Sequence, residues 1–260
     1  MQRANNRQYN ELRPLKVVYD IYSNAAGSTL FEIGNTKVLC SVVLQNGVPH
    51  FLRGKGAGWL TAEYSMLPAS TPIRTIRETT AQKRSGRTIE ISRLIGRSLR
   101  SIVNLQGLGE HTIFIDCDVL QADGSTRTAC VTGAYLALKA AESRWLAAGI
   151  IRAPIITEEL AAISVGINQL GEAMLDIDYA EDSNINADFN FVLTRSGKII
   201  EMQGTAEATP IAWEAYEKLR LLALHGVACL GEFFDTHQHP SVIQSIKEKS
   251  VVPACFSYEE

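Results

Sequence analysis

Six consecutive residues, Asp123-Gly124-Ser125-Thr126-Arg127-Thr128, bring together groups that bind anions. Before them, Thr112 to Leu120 alternates Ile113, Ile115, Cys117 and Val119 with Phe114, Asp116 and Asp118, the two-residue period of a strand. After them, Ala129 to Lys139 is rich in Ala and Leu, has no Pro, and reads as a helix. The junction is a strand, an Asp-Gly turn and a helix N-terminus. Unpaired backbone N–H groups, two or three hydroxyls and the Arg127 guanidinium therefore aim at one small volume, which suits a phosphate. The same residues would also make an ordinary Ser/Thr cap with Arg127 in water.

A second cation stands at another expected helix start. Ser85-Gly86 precedes a helical pattern over Thr88 to Leu105, on which Arg93, Arg97 and Arg100 form one polar stripe. Arg87, in the first turn, projects near Ile91 and Leu94, the side turned to the protein, where a guanidinium needs a partner or a bound anion. The alternative is a solvated Arg87 in a frayed turn. Carboxylates gather later in the chain. Asp176 and Asp178 alternate with Leu175 and Ile177 as on a strand, and Asp182 and Asp188 bracket a Ser/Asn-rich loop that re-enters a strand over Phe189 to Leu193. Two carboxylates at the ends of a tight connection can converge on one Mg²⁺, although any one Asp in such a loop also makes a simple turn.

The charges sort by region. From Arg74 to Arg100 there are eight Lys and Arg against two Glu, and from Ala153 to Thr194 there are eight Asp and Glu and no Lys or Arg. A cationic and an anionic segment in one fold suit a polyanionic substrate met by a cation-binding carboxylate site, or neutralise each other across the fold. The overall net charge of −3 argues against generic coating of nucleic acid. Gly54-Lys55-Gly56-Ala57-Gly58 satisfies neither common nucleotide-loop pattern; the extended Trp59 to Tyr64 after it marks a glycine-rich turn, from which Arg53 and Lys55 could touch a substrate backbone.

The elements that position these residues come in two sets with one rhythm. Strands are expected over Leu15 to Tyr22, Gly27 to Ile33 and Lys37 to Leu44, and again over Ala161 to Ile167, Ala173 to Tyr179, Phe189 to Leu193 and Ile199 to Gln203, each set followed by helix, the second over Trp213 to Phe234. This predicts an α/β (α+β) fold of two duplicated sheet-plus-helix halves, about 1–148 and 158–239, in one domain of 1–239, with 240–260 a peripheral or partly disordered tail. The 46% of hydrophobic residues suffice for a full core, and no apolar run reaches membrane-spanning length. Five scattered cysteines, Cys40, Cys117, Cys130, Cys229 and Cys255, read as reduced core thiols of a cytoplasmic protein. His237 and His239 lack a nearby third ligand for a metal site.

Collectively the residues resemble the ribonuclease PH family. The likeness runs from about Asn10 to Phe234, on Asn10-Glu11-Leu12-Arg13-Pro14, Gly34 to Cys40, Phe51-Leu52-Arg53-Gly54, Thr61-Ala62-Glu63-Tyr64, Ser85-Gly86-Arg87-Thr88, Arg93 to Arg97, Asp116 to Gly124 and Gln203-Gly204-Thr205-Ala206-Glu207. The resemblance implies a hexameric ring, a trimer of dimers, that trims 3′ ends of tRNA precursors and structured RNAs with inorganic phosphate as co-substrate, and that also runs in reverse as a nucleotidyltransferase. It places the phosphate site at Arg87, Ser125, Thr126 and Arg127, the catalytic and Mg²⁺-binding pair at Asp182 and Asp188, and an assembly and RNA-guiding segment at Arg74 and Arg77. Ser125 stands where many members have a second Gly, so keeping the backbone N–H contact calls for a negative φ, while the hydroxyl could itself bind phosphate. Ala69 stands where some members carry Arg. Two other readings remain: a catalytically silent ring subunit, against which Arg87, Arg127, Asp182 and Asp188 all speak, and a metal-dependent hydrolytic nuclease, which needs no anion pocket.

Overall fold

A computed structural model describes residue 3 and residues 6–240. The expected tail lies almost wholly outside them. The first sheet has the order β1-β2-β3-β5-β4. It comprises β1 (Leu15–Tyr19), β2 (Gly27–Ile33), β3 (Thr36–Asn46), β4 (Trp59–Met66) and β5 (His111–Gln121), antiparallel except for β4 beside β5. The second is antiparallel with order β7-β6-β8-β9, from β6 (Leu160–Asn168), β7 (Ala173–Leu175), β8 (Ile185–Thr194) and β9 (Ile199–Ala206). The helices are α1 (Glu78–Ala81), α2 (Gly86–Arg100), α3 (Leu105–Leu108), α4 (Thr126–Ala147), α5 (Tyr179–Asp182) and α6 (Trp213–Thr236).

The helix α4 is the centre of the molecule. It packs on β2 and β3 of one sheet and β6 of the other, so it is apolar around most of its circumference. Small residues allow that approach: a Cβ on Gly27 would lie 2.1 Å from the Ala137 carbonyl oxygen. The strand β6 has α4 on one face and α6 on the other, and every residue of Leu160–Asn168 is buried. Phe31, Leu60, Ile95, Leu138, Ile163 and Phe191 belong to one continuous core that joins both sheets. Each such side chain contributes roughly 1.5–3 kcal/mol by leaving water.

Several expected boundaries move. The helix predicted to reach Leu105 ends at Arg100, because Asn104 donates its N–H to the Ile155 carbonyl and Val103 bridges to Ile156. The strand predicted over Ala173 to Tyr179 stops at Leu175: Asp176 takes φ +52° and Asp178 caps α5. The loop predicted between Asp182 and Asp188 is mostly strand, since β8 begins at Ile185, pairing with Asn168. Cys40, Cys117 and Cys130 are buried thiols and Cys229 is half-buried, while Cys255 lies outside the described residues. His239 sits on Asp20 at 2.8 Å, and the His237 ring stacks on Phe233 at 4.1 Å.

Candidate active site

The glycine-rich junction positions the first wall of the site. Gly124 has φ +75°, and a Cβ there would lie 2.7 Å from the Asp178 backbone, so glycine alone lets the turn lie against the acidic segment. Thr36 fixes the turn from below: its hydroxyl accepts from the Asp123 N–H at 2.9 Å and donates to the Gly124 carbonyl at 2.6 Å. Ser125 follows with φ +55°, not the negative φ that the sequence called for. Its hydroxyl stabilises this left-handed conformation by pairing with the Ser164 hydroxyl at 2.5 Å and donating to the Ile177 carbonyl at 3.0 Å. Ser125 therefore does not cap α4, and the first-turn N–H groups of Thr126 and Arg127 stand without a side-chain cap at the wall of a cavity.

That cavity, about 830 Å³, brings together all six residues expected at the chemical centre: Arg87, Ser125, Thr126, Arg127, Asp182 and Asp188. Arg87 reaches it from the first turn of α2, where Ser85 accepts the Thr88 N–H at 3.0 Å and Glu78 accepts from the Thr88 hydroxyl at 2.6 Å. Arg87 is expected on the side of α2 turned to the protein, with a partner or a bound anion, or else solvated. The residue is exposed and leans over the cavity, donating to the Thr126 hydroxyl at 3.4 Å, because Ile91 and Leu94 already fill the space beneath the helix. The Tyr64 hydroxyl meets the same Thr126 at 3.2 Å; burial pushes Tyr64 up to about 12, so it remains a neutral donor. Arg127 donates to Gln203 Oε1 at 2.6 Å and lies 3.5 Å from Glu90. Gln203 in turn donates to Glu90 at 3.0 Å and Glu201 at 3.2 Å.

The opposite wall is acidic. Asp182 ends α5, Asp188 stands on β8, and Glu207 follows the end of β9. Asp182 is exposed, yet the concave wall thins the water around it; that desolvation raises its pKa, Glu207 adds to the rise, and Arg87 and Arg127 oppose it. Asp188, half-buried, is raised by desolvation first and then by Asp182 and Glu207. Three carboxylates facing one another across from two guanidiniums make a site with a cation-seeking side and an anion-seeking side.

Other expected residues lie elsewhere. Asp176, fully buried, belongs to no cation site: both of its carboxylate oxygens are taken by Arg13, at 2.9 Å and 2.6 Å. Asp178 caps α5. The turn at Gly54 and Gly56 is confirmed as a turn, and both N–H groups are occupied by the Glu110 carboxylate. Arg74 and Arg77 are exposed on the segment between β4 and α2, outside this cavity. The polar stripe of α2 is divided: Arg97 pairs with Glu201, Arg100 donates to the Leu60 carbonyl and covers the Trp59 ring at 4.7 Å, and Arg93 stays exposed. Gln203, Glu207, Asn190 and Ser164 also line the cavity. Only Gln203 and Glu207 carried any signal, as the ends of one of the motif strings.

Comparison with known proteins gives the family. Residues 11–143 match the family model described as the 3′ exoribonuclease family, domain 1. The chain is 51% identical over 225 residues to ribonuclease PH of Bacillus subtilis, covering 86% of this chain and 92% of that protein. It is 50% identical over 234 residues to ribonuclease PH of Neisseria meningitidis serogroup B, covering 90% and 95%. Two solved structures share the fold: rice Rrp46, with TM-score 0.74 at 20% identity over 90% of this chain and 99% of that one, and an Archaeoglobus fulgidus exosome with RNA bound to the active site, with TM-score 0.75 at 18% identity over 90% and 92%. With half the chain matched by the model and half its residues shared with ribonucleases PH along nearly their whole length, this chain belongs to the 3′ exoribonuclease, ribonuclease PH, family.

Proposed function

We propose that this protein is a phosphate-dependent 3′-to-5′ exoribonuclease that releases nucleoside 5′-diphosphates and, with diphosphates in excess, extends RNA 3′ ends. The observation that carries the reading is the single cavity in which two arginines at helix starts face a pair of carboxylates. An attacking phosphate and an RNA phosphodiester are both anionic, and fixed cations are required to bring them together. Arg87, Arg127, the Thr126 hydroxyl and the first-turn N–H groups of α4 hold the phosphate dianion and orient one of its oxygens towards the last phosphodiester. A new P–O bond forms in line as the bond to the 3′ oxygen of the shortened RNA breaks, and that oxygen takes up a proton. Because the bond made resembles the bond broken, the reaction is reversible.

The acidic wall fits a divalent cation. The described residues contain no cluster of three or more His, Cys, Asp or Glu able to enclose a metal. Asp182 and Asp188 nonetheless provide two hard oxygen ligands at the wall of one cavity, the small donor set that suits Mg²⁺ with its retained waters. When bound there, the ion would supply charge compensation on the transferring phosphoryl group and the leaving 3′ oxygen. Asp182 and Asp188 themselves present the oxygens that would hold such an ion on the wall facing Arg87 and Arg127.

The natural substrates in this reading are tRNA precursors and other structured RNAs, trimmed until a stable stem halts entry. One structural relative is an Archaeoglobus fulgidus exosome, and a hexameric ring, a trimer of dimers, would give one chain enough surface to grip RNA. Arg74 and Arg77, exposed and outside the cavity, would serve that assembly and guide RNA. The buried thiols suit the cytoplasm. The test is product identity: a short RNA with Mg²⁺ should yield nucleoside diphosphates only when inorganic phosphate is present. Monophosphates released at full rate in phosphate-free buffer would make the protein a hydrolase, and no release under either condition would make it a silent ring subunit.

A further inference from the structure

Next to Asp182 on α5 lies a group that the proposed reaction does not use. Glu181 is only 9% exposed, and its carboxylate is gripped by two arginines from the start of the chain. Arg3 donates to it from Nε at 2.7 Å and from Nη2 at 2.9 Å, a two-pronged pair, and Arg7 adds a third donor at 3.1 Å. The second Arg7 nitrogen reaches Asp176 at 3.1 Å, and Arg3 also donates to the Leu175 carbonyl at 2.7 Å. Within α5, Asp178 accepts the Glu181 N–H at 2.9 Å while Glu181 accepts the Asp178 N–H at 3.1 Å, a closed capping box.

A helix this short depends on contacts from outside itself. Four residues make one turn, and an isolated turn is not stable in water. The buried Glu181 carboxylate is engaged on both oxygens by Arg3, Arg7 and the Asp178 N–H. The turn is therefore fastened at Glu181, and Asp182, one residue on, projects from the fastened end into the cavity. We infer that Arg3 and Arg7 are positioning residues that clamp Glu181 and so fix the Asp182 carboxylate against the reacting phosphodiester. This rests on the phosphorolytic reading above. The clamp touches neither Arg87 nor Arg127, so it acts on the carboxylate side alone.

The experiment compares wild type with Arg3→Met, Arg7→Met and the milder Glu181→Gln, which keeps an acceptor for the Asp178 N–H and removes the charge. Two readouts are taken: phosphorolysis of a short RNA as a function of inorganic phosphate, and hydrogen exchange at the Asp182 and Ser183 amides, which donate within α5. The expected result is a fall in kcat of about tenfold or more, with KM for phosphate within about twofold of wild type and with faster exchange at those two amides. Should an arginine variant fail to fold, Glu181→Gln alone decides the matter through the same pair of readouts. Faster exchange with kcat unchanged would overturn the positioning role, as would kcat and KM for phosphate deteriorating together. A wild-type protein that released no diphosphates would instead overturn the functional reading, whatever the exchange pattern, and the clamp's catalytic role with it.

Discussion

On the cationic side of the cavity, Arg87 and Arg127 stand on the first turns of helices of 15 and 22 residues whose inner faces are packed in the core. On the acidic side, Asp182 ends a helix of four residues and Asp188 sits on a strand beside the exposed β9. A long helix holds its first residue by packing farther down its length, so the cationic wall needs only caps and a glycine turn. A single turn has no such reserve, and the acidic wall depends on ion pairs imported from the start of the chain. The cation side is built by hydrophobic burial and the anion side by charge, and the two should fail differently.

The largest effect belongs to the carboxylates. Asp188→Asn and Asp182→Asn keep volume and remove only charge, so each should lower phosphorolysis by on the order of 10²-fold or more while KM for phosphate changes little. Initial rates across a phosphate series at saturating RNA give both numbers. Full activity in both variants at limiting Mg²⁺ would break the comparison, because it would move the cation away from this wall.

Arg127→Ala comes next and should show the mirror image. Loss of a charge-assisted contact to a dianion costs about 2–3 kcal/mol, which reads as a rise in KM for phosphate of roughly 30-fold to 150-fold. RNA affinity measured without phosphate should hold, since RNA makes many other contacts. A variant with unaltered phosphate dependence would remove Arg127 from the anion site.

The difference between the walls also explains what could be read from the chain alone. The strand before Asp123, the Asp-Gly turn and the start of α4 were legible because turn chemistry is local, and so was Ser85 as the start of α2. Asp182 and Asp188 were legible as a pair but in the wrong setting: the Ser/Asn composition of residues 183–187 suggested a loop, and pairing of Ile185 and Ala187 with β6 overrode that preference. Asp176 was read as a carboxylate alternating on a strand, but the strand stops at Leu175 and Arg13, 163 residues away, holds Asp176 as a buried structural anion. Glu207 and Gln203 owe their roles to where β9 lies beside β8, which no local pattern encodes. Ser125 shows the limit of a rule taken alone: its positive φ is disfavoured, and the Ser164 hydroxyl, from another strand, offsets it.

A smaller effect is expected from Gln203→Leu. Gln203 accepts from Arg127 and ties it to Glu90, so its amide orients the guanidinium without touching the anion itself. Removing it frees Arg127 to turn fully towards Glu90, and KM for phosphate should rise by about threefold to tenfold, as loss of one hydrogen bond implies. Adding Glu90→Gln should recover part of the loss by removing the competing anion. If the double variant is no better than the single one, Glu90 does not compete with phosphate for Arg127.

The smallest expected effect is on stability, and its sign distinguishes a functional carboxylate from a structural one. Asp188 is raised above the ordinary carboxylate range by burial, Asp182 and Glu207. For a group with a folded pKa above its unfolded value, the stabilising contribution of the bound proton is fully present below the unfolded pKa and is lost as pH rises through the folded pKa. At neutral pH the folded protein thus carries a repulsion that unfolding relieves. Asp188→Asn removes that repulsion and should raise the midpoint of thermal unfolding by about 2 °C near pH 7. The gain should shrink on acidification towards about pH 4, as the wild-type carboxyl takes up its proton. The buried Asp176 gives the contrast, since Asp176→Asn leaves the Arg13 guanidinium without its charge partner and should lower the midpoint instead. Scanning calorimetry of the two variants across that pH range measures both signs, and a lower midpoint for Asp188→Asn at neutral pH would mean that the acidic wall is structural after all.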